Sequence, residues 1–512
     1  MNHQDPVLGG YEPALVLKYF EEICAIPHVS GDERALSDYV VAFAVARGLS
    51  CSQDASYNVF VSLPATPGCE DAPVVMLQGH LDMVGEKDAD SAHDFARDGL
   101  DLFVETVEDT PWVGARGTTL GGDDGIAVAM MLAILDSPPA AHPALECLFT
   151  VSEETGLEGA WGFDPAAAGS RATLMINLDS EAEGVLTAGC SGGMRSDLEI
   201  PVATEPCVGV ALTVSLGGFS GGHSGVEIHE GHTNAIKALG RLLRACGEDI
   251  CLSDVRGGGK DNAIPRDATA TVVVPQERAV LVRDILLREA ACLRGEPQVI
   301  PADRDFSLTV TSAPAPARML TRASHRAVLA AMDLMRDGVF CMNAHVEGLV
   351  AYSRNLGIVT TLFDEENIPT AVRLSASTRS AVASHLDDSE RELAELSEVL
   401  SAVAGASVQV SHRGRYPGWD YAPVSPLREL WLGASETLFG VRPRIEVIHA
   451  GLECGILCDK MTAMGQSVDI ISVGPDMRDI HTPRERVSIP SVARVYALLT
   501  HVVACLARAG CA

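Results

Sequence analysis

Two side chains able to bind a metal stand two residues apart, His80 and Asp82, in Gly79-His80-Leu81-Asp82 after the apolar run Ala72-Pro73-Val74-Val75-Met76-Leu77. In extended backbone, residues i and i+2 share a face. His80 can therefore ligate a metal, while Asp82 either joins it as a ligand or orients the imidazole through a hydrogen bond. Taken alone, a histidine at a strand end serves equally well as a hydrogen-bonded structural residue. It gains weight from acidic and histidine sites in similar settings later in the chain. These are Asp123 in the Gly-rich turn Gly117-Thr118-Thr119-Leu120-Gly121-Gly122-Asp123-Asp124-Gly125, the pair Glu153-Glu154, Asp179, and His481.

Their settings explain why they belong together. His80, Glu153, Glu154 and Asp179 each follow an apolar run that reads as a strand, and open α/β sheets bind ligands at the carboxyl ends of their strands. Asp123 lies where a turn opens a helix, and His481 follows the strand-like run Val468–Val473 by a short loop. His80, Asp123, Glu154, Asp179 and His481 suit two zinc ions with one carboxylate bridging. Each residue also has a plainer reading. Asp123-Asp124 before a helix reads as a cap, the role expected of Asp124, and Glu153-Glu154 reads as a solvated loop. Adjacent residues at a strand end diverge, however, so one of that pair can bind metal while the other faces a substrate.

The elements that must hold these residues follow from the pattern. Helices are expected from Tyr11 to about Leu49, broken at Pro27–Gly31, followed by the strand to His80. Residues 85–117 read as polar, acidic and irregular. Ile126–Leu135 is apolar all round, as in a buried helix. Strands are expected at 146–152, 171–178 and 468–473, giving an α/β sheet, much of it parallel. From about Gly189 to Arg415 the texture changes to alternating strand-like runs (208–216, 268–274) with helices between (233–246, 277–294, 388–404). The expectation is an α/β catalytic domain over 1–188 and 418–512, with an α+β domain inserted over 189–417.

Composition narrows the function. The chain has 512 residues, too many for one core. A net charge of −31 argues against nucleic acid or anionic membrane as partner, since both need a basic footprint. No run of 18 wholly apolar residues suggests a membrane span, and Met1–Pro6 lacks the basic and apolar regions of a secretion signal. The 14 cysteines are scattered without a CxxC pair, which fits packed thiols in a reduced cytoplasm.

The order and wording of the segments resemble the aminoacylase-type dizinc metallopeptidases, and within them the aminoacyl-histidine (Xaa-His) dipeptidase branch, over nearly the whole chain. The residues carrying the resemblance are Gly79–Val84, Thr119–Gly125, Ser152-Glu153-Glu154-Thr155-Gly156, Asn177-Leu178-Asp179-Ser180-Glu181, Gly221-Gly222-His223-Ser224-Gly225, Asn262-Ala263-Ile264-Pro265-Arg266 and His449-Ala450-Gly451-Leu452-Glu453-Cys454-Gly455. The resemblance implies that His80 and Asp179 bind one zinc and Glu154 and His481 the other, with Asp123 bridging. It implies that Asp82 clamps His80, that Glu153 is the general base, and that His223 stabilises the oxyanion, often across a dimer, from a lid and dimerisation domain. Asn262 and Arg379 become candidates for the substrate carboxylate. Glu453, opening a helix with His449, becomes a candidate for the substrate ammonium or a helix-dipole partner.

The sequence departs from that branch at Gly122 and Asp124, around His481, and in Met342–Gly348. The function expected is a cytoplasmic, homodimeric dipeptidase with two zinc ions (manganese or cobalt as substitutes) acting on unblocked dipeptides, including carnosine-like ones. The alternatives are an N-acyl-amino-acid deacylase or tripeptidase with the same metals, and a metal-dependent binding protein on a retired enzyme fold.

Overall fold

A computed structural model of the chain describes residues 6–509, except Pro297, His345 and Glu347. The amino-terminal segment to Asp5 and the histidine and glutamate of the Met342–Gly348 stretch therefore lie outside the described residues. The chain divides into two compact units. One comprises the chain to Cys190 with Trp419–Val447 and the segment from Leu452; the other comprises Ser191–Gly418 with Ile448–Gly451.

In the first unit, helices α1 (Ala14–Cys24) and α2 (Arg34–Ala46) precede strands β1 (Ser50–Gln53), β2 (Val59–Leu63) and β3 (Val75–His80). A hairpin, β4 (Leu102–Val107) and β5 (Thr110–Ala115), precedes α3 (Gly122–Asp136). Strands β6 (Leu145–Thr150), β7 (Leu174–Asn177) and β8 (Val185–Cys190) follow. The main sheet has the spatial order β1, β2, β6, β3, β7, Asp469–Ser472, β8, Arg444–Ile448. Its central strands β6, β3, β7 and Asp469–Ser472 are parallel, and its flanks from β1 to β6 and at β8 are antiparallel. The parallel register sets Gln78 beside Asn177 and His80 beside Thr150, so these strands end on one edge.

Helix α3 is buried on every side from Gly122 to Leu135, as its all-apolar sequence requires. Each large apolar side chain it buries contributes about 1.5–3 kcal/mol. It packs so close to the sheet that a Cβ on Gly79 would lie 2.4 Å from Asp124 Oδ2 and 3.1 Å from Ala127 Cβ. Only glycine permits that approach.

Residues 85–117 are not irregular throughout. The β4–β5 hairpin joins Met477–Arg478 and Arg486–Ser488 in a small antiparallel sheet. The helix Ile489–Arg508 is long and apolar enough to cross a membrane by length and composition, with half of that stretch buried. Val492, Val495, Leu499, Val502 and Val503 pack into the main core, as in the core helix of a globular protein.

The second unit carries a nine-stranded antiparallel sheet, whose longest strands are Val350–Phe363 and Pro369–Ser380. Helices Ala235–Ala245, Ala279–Arg294 and Arg322–Leu334 and the helix Ala383–Ala404 bury apolar faces in its core. The molecule is thus a mixed, mostly parallel α/β catalytic fold with an antiparallel inserted domain.

Candidate metal centre

The carboxyl edge of the parallel strands gathers all five proposed ligands. His80 ends β3, Asp179 lies two residues past β7, and Glu154 lies four past β6. Asp123 comes from the mouth of α3. His481 sits in the loop between Met477–Arg478 and Arg486–Ser488. His80 Nε2 lies 3.1 Å from Asp123 Oδ1 and 3.8 Å from Asp179 Oδ1. His481 Nε2 lies 3.2 Å from Asp123 Oδ2 and 2.7 Å from Glu154 Oε1. Asp123 thus presents one oxygen to each histidine, with a further carboxylate beside each.

Asp82 reaches further than a clamp on one ring. His80 Nδ1 lies 3.0 Å from the Asp82 carbonyl oxygen and 3.4 Å from its Oδ1. The Asp82 carboxylate also accepts the N–H groups of Glu153 (3.0 Å) and Glu154 (3.3 Å) and the Ser30 hydroxyl (2.8 Å). It therefore orients the turn that carries the base candidate and a ligand as well as His80. Glu33 supports the same turn by accepting from the Ser152 N–H and hydroxyl. Ser152 (φ 50°) and His481 (φ 60°) hold left-handed backbone that non-glycine residues adopt only when surrounding structure fixes it.

Asp124 does not cap α3. Gly121, in left-handed conformation, occupies the cap position with no side-chain hydrogen bond. Asp124 Oδ2 instead accepts the His80 N–H at 3.1 Å, and its Oδ1 is buried without a partner. The caps expected of it come from Glu485, which the sequence reading missed. At Gly122, a Cβ would lie 2.3 Å from Val487 Cγ2, so the departure to glycine there fits its neighbour.

The donor set fits divalent cations. Among the described residues, the ion-pair partners of Asp123, Glu154 and Asp179 are the two histidines, with no lysine or arginine. Ligand atoms of His80, Asp123 and Glu154 lie within 4.8 Å of one another, as do those of His80, Asp124 and Asp179. Without a cation, burial pushes the Asp179 and Asp124 carboxyls well up, helped by the charge of Asp123. Burial would also raise Asp123, but its hydrogen bonds to His481 and His80 hold it well below the usual range. Hydrogen bonds to Asp123 and Glu154 push His481 up to about 10. Burial opposes protonation of His80, yet Asp123 and Asp82 raise it well above its ordinary value. Burial pushes Glu153 up to about 8.

The His481 ring, pushed up to about 10, holds a proton at neutral pH that a metal must displace, and His80 and Asp179 are shifted in the same direction. Zinc titrated into metal-free protein is therefore expected to release protons and to bind more tightly as pH rises. Calorimetry in buffers of different ionisation enthalpy measures this, and net proton uptake would contradict the ligand set.

The remaining candidates fall elsewhere. Glu453, the first residue of the helix Glu453–Ala463, is fully buried and accepts from Gln78 Nε2 and Thr150 Oγ1, both at 2.6 Å. Burial pushes it up to about 7. A substrate ammonium would reach it only if that packing opened.

His223, Asn262 and Arg379 belong to the inserted unit, as does His449, which precedes the helix rather than opening it. His223 Nδ1 accepts the N–H groups of Gly225 (3.3 Å) and Val226 (3.2 Å), which places the ring proton on Nε2. Burial, then the charge of Arg379, lowers its pKa, so the ring is a neutral Nε2–H donor. The Asn262 carbonyl accepts the Ser224 N–H beside it. Arg379 Nη1 donates to the Tyr416 hydroxyl at 3.3 Å, and its Nε is buried without a partner.

Residues 214–291 match the peptidase dimerisation domain family. Over 500 residues, covering 97% of this chain and 98% of the relative, the sequence is 34% identical to the cytosol non-specific dipeptidase of Escherichia coli (strain K12). The crystal structure of aminoacylhistidine dipeptidase from Vibrio alginolyticus aligns with a TM-score of 0.88 at 33% identity, covering 98% of each chain. A tripeptidase from Staphylococcus aureus aligns over 97% of this chain and 99% of its own with a TM-score of 0.56 at 15% identity, a likeness of fold.

Proposed function

The chain belongs to the M20 peptidase family and is a metallo-dipeptidase, and from that premise we propose that it hydrolyses unblocked dipeptides, including Xaa-His compounds of the carnosine kind, with two divalent ions. The observation that carries this reading is Asp123, whose two oxygens face two histidines at 3.1 and 3.2 Å. His80 and Asp179 would hold one ion, Glu154 and His481 the other, and Asp123 both. Zinc suits these donors, and manganese or cobalt would substitute. When bound, the ions supply Lewis acidity, polarising the scissile carbonyl and acidifying the attacking water.

Glu153 takes a proton from that water as its oxygen bonds to the carbonyl carbon, then delivers it to the leaving nitrogen as the C–N bond breaks. Its backbone N–H, fixed by Asp82 at 3.0 Å, supports this assignment. His223 donates its Nε2 proton in a hydrogen bond to the oxyanion. Arg379, with Asn262 beside the His223 strand, grips the free carboxylate of the peptide; the unpartnered Nε supports that role.

A homodimer is part of the proposal, supported by the matched dimerisation segment. So is a cytosolic location, which the Escherichia coli relative carries in its name. The free thiols of the described cysteines accord with it.

A panel of Xaa-His and other dipeptides, their N-acetylated forms and tripeptides tests the substrate. Free dipeptides are expected to turn over fastest. Hydrolysis confined to blocked substrates would replace the dipeptidase reading with a deacylase one.

A further inference from the structure

Glu485, four residues beyond His481, is buried at 2% exposure, and backbone N–H groups meet its carboxylate. Oε2 accepts from Leu120 (2.9 Å) and Gly121 (3.2 Å), and Oε1 from Gly122 (2.8 Å) and Asp123 (3.4 Å). These donors include the free N–H groups at the mouth of α3, where a carboxylate is favoured and where the chain supplies no local cap.

Glu485 also belongs to the loop that carries His481. Its N–H donates to the Thr482 carbonyl (3.0 Å), and the Thr482 hydroxyl donates to the Asp479 carbonyl (2.6 Å). One end of this compact loop therefore grips the turn bearing Asp123, while His481 at the other end meets Asp123 Oδ2 at 3.2 Å. Asp479 (φ 50°) and His481 (φ 60°) hold strained backbone in the same loop, which must be held from outside.

We infer that Glu485 is a positioning residue that ties the loop of His481 to the turn of Asp123 and so sets the spacing of the ligands shared by one ion. The inference rests on the reading of these residues as a metal centre. A glutamine at 485 keeps the size and reach but turns an N–H₂ group toward one pair of N–H donors. That pair loses its acceptor, and the two loops no longer move as one. Outer partners of metal ligands typically carry 10–100-fold in metal affinity.

The test compares zinc affinity of wild type and Glu485→Gln by chelator-buffered titration, alongside thermal unfolding of the metal-free proteins and kcat at saturating zinc. The control is Asp469→Asn. Asp469 accepts from Ser425 Oγ (2.6 Å) and the Leu427 N–H (2.9 Å) at a helix start, on the strand end away from the metals. Glu485→Gln is expected to weaken zinc by about 10–100-fold and to regain kcat near wild type once saturated. Asp469→Asn is expected to lower the unfolding temperature with zinc affinity unchanged.

Unchanged affinity in Glu485→Gln, or equal losses in both variants for equal losses of stability, would overturn the inference. If glutamine at this buried site prevents folding, Glu485→Asp keeps both oxygens one methylene short, and its zinc affinity is read in the same way. Failure of wild type to bind zinc would instead sink the metal reading itself, a separate outcome.

Discussion

Glu153→Gln is expected to lower kcat by about 10²–10⁴ while leaving metal content at the wild-type level. The substitution keeps shape and leaves the backbone N–H, by which Asp82 holds residue 153, in place. It removes only the capacity to accept a proton. In the metal-free protein, burial keeps that carboxyl protonated to about pH 8. Divalent cations held by the neighbouring ligands would oppose burial and favour the ionised form, the form a general base needs. The acid limb of the wild-type kcat/KM profile should therefore report this carboxylate and move upward if one metal is withdrawn. Metal analysis with steady-state kinetics checks the first claim. A variant that retains both metals and hydrolyses dipeptides at the wild-type rate would remove Glu153 from the mechanism.

The parts of the centre legible in the sequence are those that local pattern dictates. The run before His80 is apolar because β3 is buried on both faces, and α3 is apolar all round for the same reason. The parallel crossovers then bring the strand ends to one edge, so His80, Glu154 and Asp179 could be grouped before any contact was known.

What escaped depends on partners far along the chain. Asp124 has the sequence of a cap, but the approach allowed by Gly79 turns its carboxylate onto the His80 N–H. Glu485 stands between Arg484 and Arg486 in a stretch that reads as solvated charge, and only the fold reveals that its partners lie at 120–123. The β4–β5 hairpin is hidden because Glu105 interrupts the apolar pattern of β4, Pro111 and Gly114 lie within β5, and β5 pairs with a segment near the carboxyl end. Ile448–Gly451 begins on the last residue of the strand Arg444–Ile448 yet groups with the inserted unit, where His449 Nε2 lies 2.7 Å from Ser353 Oγ. A contact of that range leaves no local signature.

His223→Ala is expected to lower kcat by about 10²–10³ with little change in metal affinity, the usual cost of losing one oxyanion donor. In that role the ring would need no rearrangement before substrate arrives. Backbone N–H groups of Gly225 and Val226 occupy Nδ1, the proton is left on Nε2, and burial with the nearby Arg379 keeps the ring neutral. Glutamine at 223 would restore part of the loss if donation is the role, whereas a packing role would be served equally by leucine.

The residue also lies within the segment that matches the dimerisation domain, 214–291, which makes its subunit of action testable. Glu153→Gln and His223→Ala are each expected to be nearly inactive on their own. In a mixed dimer, a donor supplied across the interface leaves one site with both an intact Glu153 and an intact His223. Co-refolded in equal amounts, the two variants are then expected to recover about a quarter of wild-type activity, since half of the dimers are mixed and each has one good site of two. If His223 serves its own subunit, every site in the mixture lacks one group and activity stays at the level of the parents.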